Sequence, residues 1–160
     1  MCELSPRGLG VAAASAAMPY IASKVQYALA SKLGVHGGPR VTEGDYRRFG
    51  SSATVAAAQW SNVLVGAMFS VAAIAPWTPL GARANRWVVA APMVATSGLL
   101  TETGAFTLGR AVARNAGGAP FGGYLLGWGA LVGAAARAYV TTTPQGQASP
   151  AESRRPRSGG

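Results

Sequence analysis

The chain has 160 residues, and only 12% of them are charged, about half the ~25% of an ordinary soluble domain. About a third are alanine or glycine, and 14 basic residues against 5 acidic ones leave a net charge of +9. This composition excludes a charge-rich disordered protein and a coiled coil, while one cysteine, Cys2, and one histidine, His36, exclude a disulfide scaffold and a Cys/His zinc site.

The spacing of the charges divides the chain. Sixteen uncharged residues separate Arg7 from Lys24, 34 separate Arg48 from Arg83, and 22 separate Arg114 from Arg137. Between Arg86 and Arg110 stand 23 residues with a single charge, Glu102. A soluble helix carries a charge on its wet face every turn or two, whereas a helix crossing ~30 Å of hydrocarbon needs about 20 mostly apolar residues. The gaps predict four spanning helices, at residues 9–33, 53–77, 87–108 and 120–139. The expected fold is an all-α integral membrane four-helix bundle, a transmembrane domain over 1–140 followed by a disordered basic C-terminal tail over 141–160.

In chain order, the first segment is the weakest. It sets Leu9, Val11, Ile21 and Val25 among alanines, and Pro19 is expected to kink it. Arg7 and the small residues after it also resemble a signal peptide, but the chain stays apolar past Met18, which favours a retained helix. The first link contains Gly37-Gly38-Pro39, which stops any helix. With Glu43 and Asp45 beside Arg47 and Arg48, it reads as a solvated loop with local ion pairs. The alternative is an ordered cap anchored by Tyr46 and Phe49.

The second segment is the most apolar. Val55, Val63, Leu64, Val65, Phe69, Val71 and Ile74 together favour insertion by roughly 3 kcal/mol. Gln59 and Asn62, three apart on one face, oppose some of this and are expected to hydrogen-bond to a neighbouring helix. Trp77 and Trp87 bracket the basic link 78–86 as a belt at one interface would.

The third segment carries Glu102, at a cost of about 2.5–3.5 kcal/mol if ionised at the bilayer centre. Two readings are open. Glu102 is either a proton- or cation-handling carboxylate, or a structural group, buried against Lys24 or Arg137 or left at the interface by a helix end. The fourth segment holds two GxxxG spacings, Gly123 with Gly127 and Gly129 with Gly133, which permit close helix packing. Trp128 between them reads as a packing residue.

Lys and Arg in the flanks do not settle orientation. Seven fall on the side of the N-tail, second link and C-tail, and seven on the other. Placing Lys24 and Lys32 inside the first helix tips the count towards both termini in the cytoplasm, and discounting the distal tail arginines tips it the other way; termini inside is the expectation. The mean hydropathy, +0.22, is low for a membrane protein, and an Ala-rich soluble helical domain is the alternative.

No Ser/His/Asp set, P-loop or metal-spaced acid cluster is present, so no catalytic, cofactor-binding or metal-ligating residue is assigned. The basic residues are spread over links and tail rather than gathered on one face, which argues against nucleic acid. The expected surroundings are a lipid bilayer and either a second copy or another membrane protein. A non-enzymatic structural or accessory subunit fits best. A small transporter or channel-like protein using Glu102 is the other reading.

The stretch Met18-Pro19-Tyr20-Ile21-Ala22-Ser23-Lys24, followed by Leu33-Gly34-Val35, resembles the opening of a group of small polytopic membrane proteins of high-GC bacteria. Those carry a Pro-Tyr-x-Ala-x-Lys pattern in a first helix. The resemblance covers about 30 residues. It implies a membrane location and a helix count, with no activity and no catalytic residues.

Overall fold

The computed structural model describes residues 5–142; the expected tail lies outside them from residue 143 onward. Helix α1 spans Pro6–Ala16 and α2 spans Met18–Leu29. Ser5 Oγ accepts the Gly8 N–H at 3.1 Å, and Pro6 takes the first helical position, where its missing N–H costs nothing. Between the two helices the chain breaks rather than kinks. Pro19 has no N–H for the preceding turn, and the Ala17 N–H donates to Ala14 O at 3.1 Å. Ala13 O is thereby deprived of its usual helical donor. Helix α7 (Ala119–Thr142) makes good the loss: Trp128 Nε1 donates to Ala13 O at 3.0 Å, and Tyr124 Oη donates to Ala16 O.

The first expected segment, 9–33, is therefore two helices, and the second of them stops at Leu29. Ser31 adopts a left-handed conformation with φ 49°. Its N–H donates to Ala28 O and the Lys32 N–H to Tyr27 O, the paired bonds of a Schellman stop.

The first link is more ordered than a solvated loop. It contains helix α3, Glu43–Phe49, started by a capping box between Thr42 and Asp45. The Asp45 carboxylate accepts both the Thr42 N–H and the Thr42 hydroxyl at 2.8 Å. Those bonds, the backbone one foremost, hold its pKa below the ordinary carboxylate value, with Arg48 and Arg110 adding a smaller pull in the same direction. Tyr46 Oη accepts the Leu33 N–H at 3.2 Å. Arg40 N donates to Ala116 O at 3.1 Å and Phe121 N to Gly37 O at 3.3 Å, which ties the link to the turn before α7. The expected ion pairing is present in part: Arg47 lies 3.5 Å from Glu43, well exposed and worth little.

Helix α4, Ser52–Ile74, is capped by Ser51 Oγ on the Thr54 N–H and runs into a 3-10 turn at Ala75–Trp77. A short helix α5, Pro79–Arg83, leads to α6, Arg86–Arg114. Asn85 Oδ1 caps the Trp87 N–H at 2.9 Å. Helix α6 passes Pro92 without a break and ends at Arg114, six residues beyond the expected 108, with Asn115 at φ 46° as its cap.

Neighbouring passes run antiparallel. Gln59 near the start of α4 meets the chain just past α2, and Ser70 near its end reaches Ala14 O in α1. Gly104 of α6 faces Gly122 of α7, while Ser97 faces Gly129 and Gly133. Helix α4 packs chiefly on α1 and α2, and α6 chiefly on α7. The core consists mostly of alanines, Ala13, Ala17, Ala73, Ala135 and Ala136, joined by Met93, Leu100, Leu125, Val132 and the one large ring, Trp128. Tyr20, Phe69 and Tyr124 stand around Trp128 with ring centres at 5.9–6.0 Å.

The fold is all-helical, with no strand among the described residues. Two stretches are long and apolar enough to cross a membrane: Ser52–Trp77, mean hydropathy 1.4, and Ala119–Thr142, mean hydropathy 1.2. They correspond to the second and fourth expected segments. Helix α6 is long enough, but Glu102, Pro92 and its threonines dilute its apolar content. The α1–α2 pass is divided by its break.

Candidate functional site

Polar side chains converge at the end of the fold where α2 and α4 meet the first link. Lys24, nearly buried on α2, donates from Nζ to Gly34 O at 2.9 Å and lies 5.6 Å from the centre of the Tyr20 ring. Gln59 on α4 is 2% exposed; its Nε2 donates to Lys32 O at 2.9 Å and to Gly34 O at 3.3 Å. Two of the sequence candidates, Lys24 and Gln59, thus close on one carbonyl. The helix partner expected for Gln59 is instead the backbone of the link. That link follows a helix stop, so its carbonyls are orphaned, and burial makes donors there obligatory.

Beside this knot, Ser23 Oγ accepts the His36 N–H at 2.8 Å and lies 3.0 Å from His36 Nδ1. The His36 ring stands edge-on to Tyr27. A cleft of about 210 Å³ opens here, lined by Pro19, Tyr20, Ser23, His36, Phe121 and Tyr124 among others. Sequence reasoning did not single out Ser23 or His36 as partners; only their separation by the helix stop and the Gly34 turn brings them together. The pair has no acid hydrogen-bonded to the imidazole among the described residues, and the serine hydroxyl is already an acceptor for backbone N–H. Its geometry is that of a clamp holding the link on α2, not of an activated nucleophile.

The remaining candidates lie apart. Asn62 is half-buried one turn from Gln59 and stands outside the knot; Arg137 is exposed on α7. Glu102 is exposed on the outer face of α6, so the expectation of an interior carboxylate opposite Lys24 or Arg137 is corrected. Among the described residues the salt bridge is Arg47 with Glu43 alone. The cause is rotational: Leu100, Gly104 and Thr107 are the buried positions of this part of α6, and Glu102 falls on the opposite side. Among the described residues no group of three His, Cys, Asp or Glu is placed to hold a metal ion.

The glycines divide in two. Gly129 and Gly133 pack as expected, with Thr101 and Ser97 of α6 against them, and Ser97 Oγ donates to Gly129 O at 2.8 Å. Gly123 and Gly127 face open space, so they are not packing positions within the chain. One close backbone approach between α6 and α7 lies outside the GxxxG spacing. A Cβ on Gly104 would lie 2.9 Å from Gly122 O and from Leu126 N. Backbone on both sides leaves nothing to yield. Gly104→Val is therefore expected to lower stability by about 1–3 kcal/mol or more, while Gly123→Val stays within ~0.5 kcal/mol. Thermal melting of the two variants in detergent checks this; equal melting temperatures would dismiss the α6–α7 contact.

No family model matches the chain, and no curated protein or solved structure matches it.

Proposed function

We propose that the chain is a multi-pass integral membrane protein with four antiparallel passes, α1 with α2, α4, α6 and α7, and that it serves as a non-enzymatic structural or accessory subunit. The observation that carries the membrane reading is the outer surface of α4. Only 17% of its most apolar window is buried, and 39% of that of α7. A core helix of a soluble protein of such hydropathy would be mostly covered. Instead Trp60, Leu64, Met68 and Val71 form an exposed apolar stripe, and Trp87, Val88, Val94, Leu99 and Phe106 form another on α6. Hydrocarbon solvates such surfaces, whereas in water they would drive association.

The accessory role is supported by what lies outside rather than inside. Ala91, Ala95, Gly98, Ala105 and Gly109 share the exposed side of α6 with Glu102, and Gly123, Gly127, Ala130 and Ala134 are exposed along α7. Small residues at these spacings suit a second membrane helix, from another copy or a different subunit. A carboxylate on that side is costly against lipid and tolerable against protein or at the headgroup level. A transport role for Glu102 is less well supported, because the carboxylate is turned away from the interior.

Both termini belong to one side in this arrangement, which we assign to the cytoplasm. Lys24 is withdrawn into the fold by its bond to Gly34 O, and this tips the otherwise even count of flanking basic residues. Fractionation with a carbonate wash tests the membrane reading. The chain is expected to stay in the pellet and to leave it only with detergent. Release by carbonate would overturn the proposal.

A further inference from the structure

We propose that the groove between α4, α5 and α6 is a binding site for one acyl chain of an anionic phospholipid, whose headgroup is held by Arg83 and Arg86. The inference rests on the membrane reading above and goes beyond it by naming the ligand. The groove exists because α5 is inserted where α4 would otherwise turn directly into α6. Pro76 and Pro79 bound the 3-10 turn and start α5, and Gly81 sits so close to the Ala75 carbonyl that no side chain fits between them. The two long helices are held apart at this end.

The groove is open on its outer side and offers about 500 Å³, within the ~300–1,000 Å³ of small-molecule sites. Val71, Ile74, Leu80, Ala84 and Val89 line it. Two hydroxyls also reach the wall, and both are turned to backbone. Ser70 Oγ donates to Gly66 O at 3.1 Å; Thr78 Oγ1 donates to Ala75 O at 2.8 Å and accepts the Gly81 N–H at 3.2 Å. With its polar atoms so engaged, the wall suits a hydrocarbon and not a water-soluble ligand.

Charge selects the kind of lipid. Arg83 and Arg86 flank the lining residue Ala84, and no acid occurs between Arg48 and Glu102. Arg86 lies with its guanidinium 5.5 Å from the Trp87 ring centre, the position of a cation at a headgroup level marked by tryptophan. A second copy in the same orientation is a poorer occupant. The acids of the described residues are Glu43 and Asp45 at the far end of the fold and Glu102 higher on α6, so none stands level with these arginines. A phosphodiester headgroup supplies the missing negative charge.

The test is native mass spectrometry of the full chain, released from micelles doped with equal amounts of dioleoyl phosphatidylglycerol and dioleoyl phosphatidylcholine. One phosphatidylglycerol is expected to be retained per chain, in preference to phosphatidylcholine. Val71→Trp, at a position 66% exposed and clear of the core, is expected to fill the groove and abolish retention. Arg83→Gln and Arg86→Gln are each expected to reduce the preference for phosphatidylglycerol about fivefold while leaving the chain folded. Equal retention of both lipids, or retention undiminished in Val71→Trp, overturns the proposal. So does a dimer that carries no lipid and dissociates in Val71→Trp, which assigns the groove to a second copy. In those cases the chain still resists carbonate; a carbonate-soluble chain would instead remove the membrane reading itself.

Discussion

Trp128→Ala is expected to be the most damaging single substitution in the interior, lowering stability by about 3–5 kcal/mol. The indole is 2% exposed at the centre of the core, and its removal leaves a cavity that the surrounding alanines and the rings of Tyr20, Phe69 and Tyr124, each held in its own helix, fill only in part. It also has a second function that its volume does not reveal. Its Nε1 supplies the hydrogen bond that Ala13 O loses when the chain breaks ahead of Pro19. Trp128→Phe separates the two effects. A smaller aromatic ring stays in place, the donor goes, and a buried carbonyl is left without a partner at a cost of about 1–3 kcal/mol. Thermal melting in detergent is the measurement. If Trp128→Phe melts with the wild-type chain, the break is not held by the indole, and the account of the first pass as two helices clamped by α7 fails.

The break itself shows where sequence reasoning reached and where it stopped. Pro19 marked the place, but the depth of the distortion depends on whether donors elsewhere can satisfy the freed carbonyls. Those donors, Trp128 and Tyr124, lie more than 100 residues away in the chain. The long apolar helices were legible because a long run without charge is a signal carried by the local sequence. Helix α7 begins and ends within three residues of the expected 120–139, and α4 with its 3-10 turn fills 53–77 almost completely. Helix α3 was less visible. The pattern Thr42-x-x-Asp45 is a capping box with Asp where Glu or Gln is usual, in a stretch whose Gly-Gly-Pro argued for irregular chain.

The rotation of α6 was not legible. Residues on both its faces are small or apolar: Ala90, Thr96, Leu100 and Gly104 are buried, and Ala91, Ala95, Gly98 and Ala105 are exposed. In such a helix hydrophobic periodicity carries little information, because both faces hold the same kinds of residue. The one unusual residue, Glu102, left both an interior and an interfacial reading open. The close contact between Gly104 and Gly122 fixes the rotation, and it puts Glu102 outside. The same ambiguity made Gly123 and Gly127 indistinguishable from Gly129 and Gly133 before the helix could be turned. Lys24 was expected as a partner for Glu102 and Gln59 as a bond to a neighbouring helix; both instead meet the link. Their shared partner, the Gly34 carbonyl, belongs to a link whose path no local pattern defines.

Leu64→Arg tests the environment of α4 with an effect nearly as large and of opposite origin. Leu64 is the thirteenth of the 26 residues of Ser52–Trp77, and its side chain is 65% exposed on the outer face. At 1.5 Å per residue it lies about 20 Å along the helix axis from Trp77, so an arginine there cannot bring its full charge to that interface without distorting the lipid. The expected cost of insertion is about 2.5–3.5 kcal/mol. The readout is the share of chain in the carbonate-resistant pellet, which should fall sharply, while Gln26→Arg, exposed near the end of α2, leaves it unchanged. On the surface of a water-soluble domain the same Leu64→Arg change would shift stability by no more than ~0.5 kcal/mol and improve solubility. The two environments thus predict opposite outcomes for one side chain that touches little else in the protein. A Leu64→Arg chain that is recovered folded and carbonate-soluble would show that the exposed stripe of α4 faces water.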